Sequence, residues 1–422
     1  VSAWRVGVDL TPLKVSAPFR RLYLYGAITV LASQMTNITM IYQLKKLTNS
    51  TFDVGVLSAA ELVPIIVFGL YGGVLADHLD RRKVMVTCEA GFFVCMVILL
   101  VNSRLAHPSV AVLYVIAASS ASFGSAQTPS VSSVTQQVVP HEYQRQASTL
   151  SMIRSTGSSI LGPLIGGLLA ASIGPWLVYA IVVICFVLTV LLLVGVRVER
   201  LHEPAQSASL ASLFEGLHYA RQRPDILGTY VVDLIAMTLA YPVAVLAFAS
   251  DQFHHTYALA VLYCGLPFGA MLASLTSSWT ARVAHYGRAL IVAASVWGLG
   301  IVVLGLSNNL WLAFAGLAIG GAADAMSGIF RITMWNESIP PEVRGRMGGV
   351  EVLSYAVGPV VGNFRSGLAA SVMGLRASIV AGGLGCSALV SSSTLVLRSL
   401  WRFDARSDRN VATVKAQRLE AE

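Results

Sequence analysis

Charge is scarce in this sequence. Of 422 residues only 12% are Asp, Glu, Lys or Arg, while 55% are hydrophobic and the mean hydropathy is +0.69. A soluble domain carries about 25% charged residues, and half that share leaves too little polar surface to cover a folded chain in water. The shortage excludes a soluble enzyme, a disordered chain and a nucleic-acid-binding domain, in spite of a net charge of +8. Cysteine is also sparse: Cys88, Cys95, Cys185, Cys264 and Cys386 all lie in apolar runs, with no CxxC and no His at ligand spacing. They read as packing residues, so no disulfide framework, metal site or cofactor is expected. The eight histidines are scattered, mostly in loops, which argues against a catalytic constellation. There is no phosphate-cradling Walker motif, and residues 1–19 lack the pattern of a cleavable signal peptide. They read instead as a cytoplasmic lead-in.

What the chain has is apolar length. At about 20 apolar residues per membrane span, it holds about twelve spans and no large extramembrane domain. Candidate spans fall at 22–43, 54–77, 84–102, 109–136, 147–171, 174–196, 225–249, 257–281, 288–306, 309–335, 347–371 and 376–400. The expected fold class is an all-α membrane protein, with twelve transmembrane helices in two pseudo-symmetric six-helix bundles. The expected domains are an N-terminal bundle (1–196), a central loop (197–223), a C-terminal bundle (224–400) and a tail (401–422).

Basic residues give orientation. With the N-terminus inside, Arg81, Arg82, Lys83, Arg145, the central loop, Arg282, Arg288, Arg344, Arg346 and the basic tail share one side, and only Lys45, Lys46, Arg104 and Arg376 fall on the other. Both termini are therefore expected in the cytoplasm. The halves echo each other. "VVPHEYQR" (138–145) matches "SIPPEVRG" (338–345) at an offset of 200, and "GPLIGG" (162–167) matches "GPVVGN" (358–363) at 196. A six-plus-six chain with such repeats reads as a duplicated transporter with its site between the halves.

The loop "GGVLADHLDRRKVM" (72–85) carries Gly73, Leu75, Asp77, Arg81 and Arg82 in an order that resembles the signature loop of the major facilitator superfamily. His78 stands where Arg is usual and Asp80 where Gly is usual. Gly73 permits close helix approach and Asp77 can cap or charge-pair at a cytoplasmic gate; a plain positive-inside anchor is the competing reading. "STGSSILGPLIGG" (155–167) resembles the glycine–proline motif found mainly in exporters of that superfamily, through Ser158, Gly162, Pro163, Gly166 and Gly167, with Ser158 replacing a Gly. Ordinary small-residue helix packing uses the same chemistry. Segments 47–82, 122–140, 233–237, 321–334 and 340–347 resemble more narrowly the branch that exports the siderophore enterobactin. That branch tends to carry Arg at position 360 and Asp at 363, where this chain has Val360 and Asn363.

Ionisable groups inside spans are costly and so mark function by default. Asp233 lies in span 7, and Asp324 and Arg331 lie seven apart on span 10. The resemblance implies that these spans line a central cavity. Arg331 is expected to pair with Asp233 or Asp324, leaving the other carboxylate for a proton or a cationic group; a purely structural ion pair is the alternative. Glu61, apolar-flanked in span 2, is the other proton-coupling candidate, against a pore-rim role. Glu89, Arg154 and Glu351 read as snorkelling or as pairing across the gate. Gln34 and Asn37, three apart on span 1, and Gln127 on span 4 suit a water-accessible cavity or interhelical hydrogen bonds. Met237, Tyr241 and Trp335 would supply an apolar or stacking wall.

The resemblance implies a proton-coupled exporter working by alternating access, with a siderophore or similar organic solute and protons as partners. The expected setting is a monomer in the bacterial inner (cytoplasmic) membrane. Multidrug efflux is the alternative substrate class. A polytopic membrane enzyme or receptor is the alternative of a different kind.

Overall fold

A computed structural model describes residues 10–195 and 210–421, which are helical with no strand among them. Among the described residues twelve long helices carry the fold. In the first half these are α1 (Ala17–Thr48), α2 (Thr51–His78), α3 (Arg81–Arg104), α4 (Val110–Val138), α5 (Gln144–Ser172) and α6 (Pro175–Val194). In the second they are α7 (Pro224–Ala240), α8 (Ala258–Leu275), α9 (Tyr286–Leu306), α10 (Leu310–Ser338), α11 (Pro341–Met373) and α12 (Leu375–Val396). Nine of the twelve, with α7 counted through Phe253, are long and apolar enough to cross a membrane. The other three, α1, α5 and α11, are as long but more polar, with side chains such as Gln34, Asn37, Ser158 and Ser354 inside them.

Capping sets several boundaries. Ser16 starts α1 by accepting from the Phe19 N–H at 3.2 Å. Asp80 starts α3 by accepting from the Arg82 and Lys83 N–H groups at 3.0 and 3.4 Å. That cap is what Asp80 does at the position where the signature usually has Gly. Helices α6 and α12 both begin after a glycine in positive φ, Gly174 at 131° and Gly374 at 86°, a geometry that favours glycine. These two glycines repeat the 200-residue offset of Pro140 and Pro340.

Three expectations from hydropathy differ from the structure. The span expected at 225–249 is broken: α7 ends at Ala240, Tyr241 is extended, and the chain resumes through Val243–Val245 and Leu246–Ala249. Pro242 follows the break directly and has no N–H to continue a ladder. The central loop contains a helix at Leu210–Gln222, and the tail contains one at Arg409–Ala421. The tail helix docks where Arg418 Nη2 donates to the Asn336 carbonyl at 2.6 Å, near the C-terminal end of α10.

One apolar core lies wholly between Ala220 and Phe403 and includes Trp297, Phe330 and Trp335. A second gathers Met35, Leu44, Phe92, Tyr179 and Phe186, and takes in Ala244, Ala247 and Leu259 from the second half. Large apolar side chains such as Leu191, Leu275, Val372 and Val396 face outward, as lipid contact requires. The halves meet tightly at the end away from the termini. A Cβ at Gly367 would lie 2.5 Å from the Thr51 carbonyl oxygen and 2.8 Å from the Gly55 Cα. Lys45 of α1 forms an ion pair with Asp251, just past α7, and its Nζ also donates to the Ala247 carbonyl at 2.6 Å. That end is closed.

Candidate functional site

In the second half, Asp233 of α7 and Arg331 of α10 form an ion pair and both are buried. Ser354 of α11 donates to Asp233 Oδ2 at 2.9 Å. The Arg331 guanidinium lies 4.9 Å from the Tyr355 ring centroid and 5.7 Å from that of Trp335. Tyr355 is 43% exposed while Arg331 is 2% exposed, so the surface here presents a phenol ring and hides the guanidinium behind it. Asp324, two turns from Arg331 on the same helix, makes no hydrogen bond or ion pair among the described residues. Of the two carboxylates offered to Arg331, the geometry selects Asp233. Trp335 is enclosed as well: it stacks on Tyr230 at 4.8 Å and donates to Thr229 Oγ1 at 3.0 Å. Met237 is likewise buried.

In the first half a cavity of about 230 Å³ lies among α1, α2, α3, α4 and α6. Glu61, Asn37, Ser33, Thr36 and Ser120 supply its polar atoms, against Phe92, Phe186, Met40 and Met96. The Ser120 hydroxyl is enclosed without a hydrogen-bond partner, and Glu61 has no ion pair or hydrogen bond among the described residues. Asn37 and Gln34 diverge. Asn37 faces this cavity, whereas the Gln34 Cβ sits against Gly162 of α5, 2.5 Å from where a Cβ there would be.

Gln127 does not line that cavity. It is buried and donates through Nε2 to Glu89 Oε1 at 2.9 Å and to the Tyr25 hydroxyl at 2.6 Å. Glu89 was expected near the surface; instead it is completely enclosed. It also accepts from Tyr25 and Thr29, and from Thr189 through Oε2 at 2.5 Å. Four helices thus share one satisfied polar cluster, the interhelical alternative for Gln127. Its partners come from distant stretches of chain, which hydropathy cannot see.

The glycine motif packs α5 along α1. Ser158 Oγ donates to the Ala27 carbonyl at 3.3 Å. A Cβ at Gly166 would lie 2.8 Å from the Met35 Cα, and one at Gly167 would lie 3.3 Å from Ala260 of α8 in the other half. Pro163 sits inside the helix. In the second half Gly362 does the same work for α11 on α7, since a Cβ there would lie 2.1 Å from the Met237 carbonyl oxygen.

At the expected gate, Arg82 donates to the C-terminal carbonyls of α6, to Leu193 at 3.2 Å and Val194 at 2.5 Å. Arg81, beside it, opens α3. The side chains of Gly73 and Asp77 lie outside the described residues, and the sequence-derived roles for them go untested.

Hydropathy reading missed Arg365 and the use of Asn363. Asn363 Oδ1 accepts from the Ala244 N–H at 2.9 Å, while Arg365 donates to the carbonyls of Thr238, at 3.2 Å, and Leu239. These are the backbone groups that the break in α7 frees, and each needs a partner inside a membrane. The one available signal was an arginine inside an apolar run facing a Tyr–Pro step.

Closely packed helices with an outward apolar surface, a polar cavity in one half and a buried ion pair in the other define a multi-pass membrane transporter. The chain belongs to the Major Facilitator Superfamily, whose profile matches residues 22–362. It is 28% identical over 403 residues to the enterobactin exporter EntS of Shigella flexneri, covering 94% of this chain and 95% of that one. It is 27% identical over 402 residues to the enterobactin exporter EntS of Escherichia coli O139:H28 (strain E24377A / ETEC), with coverage of 94% and 95%. Among solved structures, the nucleoside transporter NupG superposes with a TM-score of 0.72 at 12% identity, over 92% of this chain and 100% of that one. A bacterial homologue of the human lysosomal transporter Spinster, inward-facing and unoccupied, gives 0.71 at 17% identity, over 91% and 97%. The structural likenesses establish the fold. Family and fold are those of transporters, not enzymes.

Proposed function

We propose that this chain is a secondary-active, proton-coupled exporter that moves a siderophore of the enterobactin type out of the cytoplasm by alternating access. The observation that carries this reading is relatedness to enterobactin exporters along nearly the whole of both chains. On this reading all twelve long helices span the inner membrane, residues 1–196 and 224–400 form the two bundles, both termini are cytoplasmic, and the working unit is a monomer. The tight contacts among Thr51, Gly55 and Gly367 and the Lys45–Asp251 pair then close the periplasmic end. Glu61 is the preferred proton carrier, because it lies in a cavity with no internal partner to lose on protonation. Asp324 is the second candidate. Asp233, held by Arg331 and Ser354, is the least free to exchange a proton.

One observation favours amphipathic drugs as a second substrate class. A carboxylate in a cavity walled by Phe92, Phe186, Met40 and Met96 suits a lipophilic cation. Proteoliposomes holding the purified chain separate the readings: enterobactin uptake driven by an imposed pH gradient supports siderophore export. Uptake of a lipophilic cation alone supports the second.

A further inference from the structure

Among the described residues three arginines sit deep in long helices, Arg154, Arg331 and Arg365, and two of them have a carboxylate or carbonyl partner, although the Nε of Arg331 is enclosed without one, as is that of Arg154. Arg331 pairs with Asp233, and Arg365 donates to two carbonyls of α7. Arg154, ten residues into α5, has no hydrogen bond or ion pair among the described residues, and its Nε is enclosed without a partner among them. The side chain is half-buried. Its Cζ lies 5.8 Å from the ring centroid of Tyr23 on α1. Gly26 gives it room, since a Cβ there would fall 2.2 Å from Arg154 Nη1. The neighbouring Tyr25 is turned away into the Glu89 cluster. Along α5 the series Arg154, Ser158, Gly162 and Gly166 runs at one-turn spacing against α1, and six residues beyond Arg154 the Ile160 carbonyl accepts from Cys264 of α8 at 3.2 Å. The guanidinium itself lies against α1, at Tyr23 and Gly26.

A guanidinium without a carboxylate or carbonyl partner is costly among membrane helices, and among the described residues a cation–π contact to Tyr23 is what offsets it. We infer that Arg154 recognises an anionic oxygen group, a carboxylate or catecholate, on the exported solute. Its planar fork offers two parallel N–H donors to adjacent oxygens, and the Tyr23 ring beside it offers a face to an aromatic ring. The inference rests on the exporter reading and places recognition of a catecholate anion in the first half of the chain, since Arg331 is paired with Asp233.

The test is equilibrium binding to the purified full chain in nanodiscs. The probes are enterobactin, 2,3-dihydroxybenzoate as a small anion, and uncharged catechol. The wild type is expected to bind the anion in preference to catechol. Arg154→Gln is expected to weaken the anion about tenfold or more and leave catechol unchanged, with Arg154→Lys between them. Gly26→Ala keeps the charge but drives the guanidinium from its seat, and is expected to weaken the anion as well. Arg154→Gln with wild-type melting temperature and wild-type anion preference overturns the inference. If that variant does not fold, wild-type affinity in both Arg154→Lys and Gly26→Ala overturns it. A wild type that binds neither enterobactin nor 2,3-dihydroxybenzoate overturns the exporter reading itself, which is a separate failure.

Discussion

Asp233 and Arg331 form a buried ion pair between α7 and α10, with Ser354 on the carboxylate and Tyr355 over the guanidinium. Removing one charge strands the other. Asp233→Asn is expected to destabilise the protein by about 3–5 kcal/mol, whereas Asp233→Leu with Arg331→Met is expected to recover most of that loss. Denaturant unfolding in detergent micelles measures it. Equal, additive costs for the two single changes would show that the pair is not coupled.

Glu61 and Asp233 should separate functionally. Glu61→Gln preserves shape and removes the titratable group from the cavity, so transport should persist at reduced rate and stop responding to an imposed pH gradient. Unchanged proton dependence in Glu61→Gln would transfer the role to Asp324, and the same measurement on Asp324→Asn would then decide.

Lys45 and Asp251 tie the halves at the closed end, but the Asp251 side chain is 65% exposed. Water and salt screen such a pair, so its contribution is below about 1 kcal/mol. Lys45→Ala is accordingly expected to shift the open-to-closed ratio at that end by no more than about fivefold. Electron–electron distance measurements between spin labels at Leu47 and Tyr257, one in each half, would report the shift. A complete loss of the closed population would mean the pair alone holds that end.

Gly362 and Gly157 make opposite predictions on long helices. A Cβ at Gly362 meets the Met237 carbonyl oxygen at 2.1 Å, while nothing lies within 4 Å of one at Gly157. Gly362→Ala should destabilise by about 1–3 kcal/mol through overpacking. Gly157→Ala should stabilise by roughly 0.5–1 kcal/mol, because helix formation then costs less backbone entropy. Melting temperatures of the two variants, compared with the unsubstituted chain, decide.

The spans, the duplication and the small-residue helix faces were legible because they are properties of local composition and spacing. Hydropathy located α2 to α4 within a few residues of their ends, and it located the glycine motif that seats α5 on α1. The fate of each polar group inside the spans was not legible, because it depends on partners far away in sequence. Glu89 and Gln127 meet directly across α3 and α4, and Tyr25, Thr29 and Thr189 on two further helices complete their cluster. The α7 break is stable because Asn363 and Arg365, about 120 residues later, satisfy its open groups. The carboxylate chosen by Arg331 was likewise a matter of which helices pack together.

Proton-driven export of a siderophore is the central property to test. The most direct measurement is enterobactin uptake by inside-out vesicles that contain the chain and carry an imposed pH gradient, acid inside. Accumulation that collapses when a protonophore dissipates the gradient is the predicted result. Accumulation indifferent to the gradient, or none with correctly folded protein, would contradict it.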